Sequence, residues 1–214
     1  KQFQVGITKK NDLSRWFYQP SWKRVGKLDP AREQGEPGEE QTTAARSCML
    51  FTGEGNPLFN WGRILEQEGL EVIEVKEGTG YAREAPGSYT MDPADPRHYR
   101  NLFRQMQEEK KSPRLILHMW NVTAEPAEPS EREEAGDRDL AGKIDRALDR
   151  GYYSMLNLAQ AIGKNNPEER YQVVVLTNGM QEVTGEPLRC PEKKPLEGAV
   201  RTIAREYPNI RCCT

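Results

Sequence analysis

An open α/β sheet in which parallel strands alternate with helices is the fold that this sequence of 214 residues predicts. Three observations carry it. Short apolar runs of strand length, such as Cys48 to Phe51, Leu115 to Met119 and Val173 to Leu176, recur along the chain. Between them lie segments whose apolar residues return at helical spacing. No self-similar period joins the segments between Gly55 and Gln172, so the pattern is one domain and not a repeat array.

Each element has its own local reason. The run Cys48-Met49-Leu50-Phe51 is the first strand, Thr52-Gly53-Glu54-Gly55 a turn, and Leu58, Trp61, Ile64 and Leu65 the apolar stripe of a helix. Glu71 to Val75 is the second strand and Gly78 to Tyr89 a loop. Asp95 with Pro96 behind it starts a helix whose inner face carries Tyr99, Leu102, Phe103 and Met106. Leu115 to Met119 is the third strand. Residues 121–139, with Pro126, Pro129 and a dense acidic run, bury too little apolar surface to offset their ordering entropy and are expected to form a mobile loop. Leu140 to Ile162 reads as one long helix closed by Gly163, with Ile144, Leu148, Tyr152, Met155, Ala159 and Ile162 in its stripe. Gln172 to Leu176, the helix Leu196 to Glu206 and the strand Ile210 to Cys213 complete the series. Right-handed crossovers place about five parallel strands in one sheet with helices on both faces, a Rossmann-like arrangement of order 3-2-1-4-5.

Composition narrows the function. Apolar residues make up 36% and charged residues 30%, and the longest apolar runs fall far short of the roughly 20 residues that cross a bilayer. A soluble, cytoplasmic protein is expected. With 31 basic and 33 acidic residues the net charge is -2, which provides no global field for nucleic acid. Cys48, Cys190, Cys212 and Cys213 show no C-x-x-C spacing, and His98 and His118 are far apart, so no metal site is expected. Reduced, buried thiols are the reading for Cys48 and the Cys212-Cys213 pair.

The turn after the first strand is where a dinucleotide would approach a helix N-terminus. Gly53-x-Gly55 begins a glycine fingerprint without finishing it. The third glycine of G-x-G-x-x-G falls on Leu58, and in the pattern T-G-x-x-x-G-x-G started at Thr52 the later glycines fall on Pro57 and Phe59. A proline and an aromatic ring there fill space and remove a donor, so Thr52, Gly53, Gly55, Pro57 and Phe59 are read as a degenerate turn that binds no cofactor. A reductase would also need a Ser and a Tyr near the fourth strand, yet no Ser or Tyr occurs between Gln172 and Glu206. Thr177-Asn178-Gly179 stands in the Ser segment, and Lys193 and Lys194 read as solvated loop lysines. Tyr153-x-x-x-Asn157 has reductase-like spacing on the wrong helix, with core-like neighbours. His118-Met119-Trp120 closes the third strand as a packed aromatic beside a hydrogen-bonded His, since no G-x-S-x-G accompanies it. No catalytic residue is assigned.

The opening Trp16-Phe17-Tyr18-Gln19-Pro20-Ser21-Trp22-Lys23-Arg24 resembles the W-x-Y-x-P-x-W-K segment that leads into the ketoreductase region of modular type I polyketide synthases. Further pieces are similar to that family's structural subdomain: Asp92-Pro93-x-Asp95-Pro96-x-x-Tyr99, Leu115 to Trp120, Tyr153 to Ala161, Val173 to Gly179, and Pro195-Leu196-Glu197-Gly198 running to Arg205-Glu206-Tyr207-Pro208. The resemblance covers nearly the whole chain from Asp12, with no family motif in the acidic loop Glu125 to Asp139. It implies a truncated, short-chain-reductase-like Rossmann fold without cofactor, beside a catalytic half that binds NADPH and reduces β-ketoacyl chains on an acyl carrier protein. It further implies residues 1–43 as a linker with an aromatic docking strand, in which Trp16, Phe17, Tyr18 and Trp22 meet a partner, and residues 44–214 as the Rossmann-like subdomain. The partner would be the catalytic ketoreductase half, or a neighbouring methyltransferase or enoylreductase domain held by a pseudo-ketoreductase. A free-standing degenerate short-chain reductase is the third reading, and the absent Ser and Tyr count against it.

Overall fold

The computed structural model describes residues 47–53, 61–124, 140–182, 185 and 188–214. Trp16, Phe17, Tyr18, Trp22, Gly55, Pro57, Phe59 and the acidic run beyond Ala124 lie outside the described residues.

Strand β1 (Ser47–Thr52) is followed by helix α1 (Trp61–Gln67), β2 (Glu71–Glu77), a hairpin of β3 (Ala82–Ala85) and β4 (Ser88–Met91), α2 (Pro96–Glu108) and β5 (Leu115–His118). Then come α3 (Leu140–Ala147), a π-helical stretch (Leu148–Tyr153), α4 (Ser154–Asn165), β6 (Tyr171–Val175), a 3-10 turn (Pro191–Lys193), α5 (Pro195–Glu206) and β7 (Ile210–Cys213). The strands form one sheet of seven in the order β3-β4-β2-β1-β5-β6-β7. All pairings are parallel except β3 with β4.

The sheet corrects the expected order in one respect. Gly78 to Tyr89 is not a loop: Pro86-Gly87 turns a hairpin there, with Gly87 at φ +78, the conformation that the third residue of a type II turn requires. Its second strand, β4, occupies the position next to β2, which displaces Leu115 to His118 to the far side of β1. Counted with β4, the run β4-β2-β1-β5-β6 has the Rossmann order 3-2-1-4-5, and β7 extends it. The edge strand β3 is exposed throughout and carries Arg83 and Glu84, charges that discourage pairing with another chain.

One face of the sheet holds the core. Met49, Phe51, Ile73, Val75, Ile116 and Val173 meet the inner stripes of α2, α4 and α5, including Tyr99, Leu102, Phe103, Leu158, Ile162 and Ile203. Helix α1 borders a shallow groove with Val72 and Glu74, side chains of the opposite face. None of the α1 residues is buried, so the Trp61, Ile64 and Leu65 stripe is only half covered.

The long helix departs from expectation at two places. It does not end at Gly163; it continues to Asn165, and Gly163 lies beneath the Tyr207 ring, where a Cβ would come within 2.7 Å of Cε1. Its middle is widened into the π-helical stretch, where the Asn121 side chain lies so close to Gly151 that any Cβ there would overlap the amide, while Asn121 Nδ2 donates to Ala147 O at 3.4 Å. Ile144 projects outward at the head of the stripe. Among the cysteines, Cys48 is buried, but Cys213 is exposed and Cys212 half-buried, because alternate residues of an edge strand face opposite sides. Burial pushes the Cys48 thiol up to about 11 and Cys212 up to about 12. No helix among the described residues is long and apolar enough to cross a membrane.

Candidate functional site

In a doubly wound sheet, ligands approach the carboxyl ends of the strands where the strand order reverses, which here is the gap between β1 and β5. Thr52-Gly53 ends one strand and His118-Met119-Trp120 the other. Trp120, just beyond β5, is buried in the core. Its indole is 1% exposed, its Nε1 donates to Thr52 O at 2.9 Å, and its ring meets Phe51 edge-on at 4.9 Å between centroids. Met119 N donates to Phe51 O at 2.9 Å, which extends the β1–β5 ladder to the base of the indole. The indole thus packs into the core with its donor satisfied by the end of β1. Thr52 turns aside as well, since Oγ1 donates to Glu74 Oε1 at 3.2 Å.

Beneath the tryptophan runs a buried polar chain. His118 Nε2 lies 2.7 Å from Ser154 Oγ, and Tyr99 Oη lies 2.8 Å from Ser154 Oγ and 2.9 Å from Pro93 O. Tyr99 has one hydroxyl proton and Pro93 O can only accept, so Tyr99 donates to the carbonyl, Ser154 donates to Tyr99, and His118 Nε2 donates to Ser154. His118 Nδ1 then needs no proton and has no hydrogen-bond partner. Complete burial pushes the imidazole down to about 3, so the ring is neutral. A Ser and a His this close superficially match a nucleophile and its base. The chemistry does not follow, because both are sealed from solvent and a base titrating near 3 is far from the operating range of a proton acceptor.

The Asp92-Pro93-x-Asp95-Pro96-x-x-Tyr99 segment is explained by the same chain. Asp92 Oδ1 accepts from Ala94 N, Asp95 caps α2 by accepting from Arg97 N at 2.8 Å, and Pro96 occupies the first turn. The Arg97 guanidinium holds the Asp95 carboxyl well below the usual carboxylate range. This fixed corner presents Pro93 O to Tyr99. Asn157 Nδ2 reaches the same carbonyl at 3.5 Å.

Tyr153 does not belong to the core as its neighbours implied; it is 47% exposed and stacks edge-on against Tyr152. The pair Tyr153 and Asn157 is thus split between solvent and the Pro93 corner. Tyr153→Phe is expected to change stability by no more than about 0.5 kcal/mol, the usual range for a surface substitution, as urea unfolding would measure.

Lys193 is the residue that sequence reasoning missed. It is 3% exposed, not solvated, and its Nζ donates to Thr123 Oγ1 at 2.8 Å, Asn178 Oδ1 at 2.9 Å and Asn178 O at 3.2 Å. Asn178 Nδ2 donates to Thr123 O at 2.8 Å and Thr123 N to Asn178 Oδ1 at 3.1 Å, so the loops after β5 and β6 are locked together. Desolvation holds the ammonium below its ordinary pKa. The signal in the sequence was faint: Thr177-Asn178-Gly179 and Cys190-Pro191 are turn formers, and only their convergence encloses the lysine. Nearby, Arg150 Nε pairs with Glu77 at 2.8 Å. No cluster of three or more metal-ligating side chains is present among the described residues.

The profile of the family described as "Beta-ketoacyl synthase-like, N-terminal" matches residues 49–214. No curated protein matches the chain. Among solved structures, a multidomain structure of adenylation, ketoreductase and pseudo Asub domains from a keto acid-selecting NRPS module is similar at TM-score 0.63 and 20% identity, over 78% of this chain and 13% of that one. An N-terminal ketoreductase from the macrolactin assembly line is similar at TM-score 0.55 and 20% identity, over 78% of this chain and 31% of that one. An enoyl-acyl carrier protein reductase of Bacillus cereus, solved with NADP+ and indole naphthyridinone, reaches TM-score 0.52 at 14% identity, over 78% of this chain and 69% of that one. At these identities the likeness is one of fold, and the chain spans about a third or less of the first two structures.

Proposed function

The chain belongs to the Beta-ketoacyl synthase-like, N-terminal family, and from that membership we propose that it is the structural subdomain of a polyketide synthase ketoreductase region. In this reading it carries out no chemistry itself. It scaffolds an adjacent half that binds NADPH and reduces a β-ketoacyl chain held on an acyl carrier protein, in the cytoplasm with the rest of the synthase. The observation that supports the reading is Trp120, a buried indole after β5 that is bonded to Thr52 O at the end of β1. The lack of Ser and Tyr between Gln172 and Glu206 supports it, and so does the sealing of Ser154 and His118 beneath that indole. Hydride donor and proton donor would then both come from the partner. The aromatic segment Trp16, Phe17, Tyr18 and Trp22 remains the candidate contact with that partner.

A pseudo-ketoreductase holding a methyltransferase or enoylreductase domain uses the same surfaces and differs only in the neighbour. The test separates both from a free-standing reductase. NADPH titrated into the isolated chain, followed by cofactor fluorescence, should show no saturable binding. A dissociation constant in the micromolar range, about that of ordinary enzyme substrates, would overturn the scaffold reading.

A further inference from the structure

We propose that the cleft between the loop after β5, helix α3 and the 3-10 turn Pro191–Lys193 binds a small phosphate-type oxyanion. The inference stands apart from the scaffold reading, because it needs neither partner nor reductase chemistry. The cleft has a volume of about 120 Å³, several times the roughly 30 Å³ that one water takes in the liquid. It opens at the carboxyl end of the sheet, where ligands of this architecture collect. Among the described residues its lining includes Lys143, Arg146, Arg150, Lys193 and Glu192, of which Arg146 and Arg150 already have partners.

Three of these groups have distinct parts to play. Lys193 supplies a fixed charge: its Nζ is buried and its bonds run to neutral oxygens of Thr123 and Asn178, with no ion pair among the described residues. A charge so placed is poorly screened and acts on its surroundings more strongly than a surface lysine. Burial keeps that ammonium below its ordinary pKa, and a bound anion would relieve the penalty. Thr123 supplies a donor, since its hydroxyl oxygen accepts from Lys193 and its proton is free to point into the cleft. Lys143, exposed on α3 and without a hydrogen-bond or ion-pair partner among the described residues, supplies a cation able to swing onto the ligand. Arg150 is already paired with Glu77 and holds the wall in place. A fixed charge, a hydroxyl donor and a mobile ammonium match a group with several acceptor oxygens and a charge above one.

The test uses the full chain, titrated with inorganic phosphate at constant ionic strength and followed by amide chemical shifts. Saturation in the millimolar range is expected, with shifts centred on Thr123 and Lys193. Lys143→Glu should weaken binding about tenfold or more, the effect of losing one charged hydrogen bond. Lys164→Glu, the same charge change at an exposed site on α4, should weaken it less than about twofold, as expected for a screened distant charge. Methyl phosphate, which keeps a charge above one, should bind as phosphate does, and dimethyl phosphate, a monoanion, should bind more weakly; a diester that binds as tightly as phosphate would overturn the site. Absence of saturation, acetate binding as tight as phosphate, or equal weakening by the two reversals would each overturn it.

Discussion

Trp120→Ala is expected to lower stability by about 3 to 5 kcal/mol, the range for removing a large aromatic from a packed interior. The ring is in contact range of Phe51, His118 and Tyr99, at centroid distances of 4.9, 5.4 and 6.5 Å, so its loss leaves a cavity bordered on three sides by aromatic groups that cannot collapse inward together. Thr52 O loses its donor as well. Against a total of about 5 to 15 kcal/mol for a domain, this is a large fraction. At about 2 to 4 °C per kcal/mol for a chain of this size, Tm should fall by about 6 to 20 °C in a calorimetric scan. Trp120→Phe separates the two contributions: it keeps most of the ring and leaves only the carbonyl unpaired, so its cost should be about 1 to 3 kcal/mol. A Trp120→Ala variant that melts within 2 °C of the parent, a margin below the effect of 1 kcal/mol, would mean that the indole contributes little to the packing of the core.

The second large effect is a pH dependence. In the unfolded chain His118 takes up a proton below its ordinary value of about 6.5, whereas in the fold burial holds it down to about 3. Between these values the unfolded state binds more protons, so stability rises with pH there. The contribution is complete above about 6.5 and is lost as pH falls towards 3, at up to about 1.4 kcal/mol per pH unit for the one proton. Asp95, whose carboxyl is held low by Arg97, adds its own loss only below the ordinary carboxylate range. The interval from pH 6.5 down to 5 lies above the range of Asp95 and within that of the histidine. Urea unfolding across that interval should show the slope, and His118→Gln, which keeps a donor for Ser154 and cannot titrate, should flatten it by about one proton. An unchanged slope in the variant would show that another group is responsible.

Much of this architecture is legible in the sequence. The apolar runs at Cys48, Leu115 and Val173 are too short and too continuous for anything but buried parallel strands, and the Asp95-Pro96 start with its Tyr99 to Met106 stripe specifies α2 almost residue by residue. These are local signals, carried by period and capping chemistry within one segment. The missing Ser and Tyr between Gln172 and Glu206 were equally plain, because residue type alone states them.

What the tertiary structure decided has a common physical form: a contact between distant segments overrides what each would do alone. The strand β4 forms because β2 offers it a parallel edge, although Pro86-Gly87 already marked the turn that starts it. Within the π-helical stretch, Gly151 leaves the room that Asn121, from the end of another strand, occupies. Gly163 lies inside a helix because Tyr207 needs the space above it. Lys193 reads as surface by its neighbours in sequence and becomes a buried lock only when Thr123 and Asn178 converge on it from two loops. Ser154, unremarkable in a helix, acquires its role from His118, 36 residues away, and Tyr99, 55 residues away. Periodicity and caps report on one segment at a time, and a desolvated polar group takes its character from partners that only the fold brings within 3 Å, the reach of a hydrogen bond.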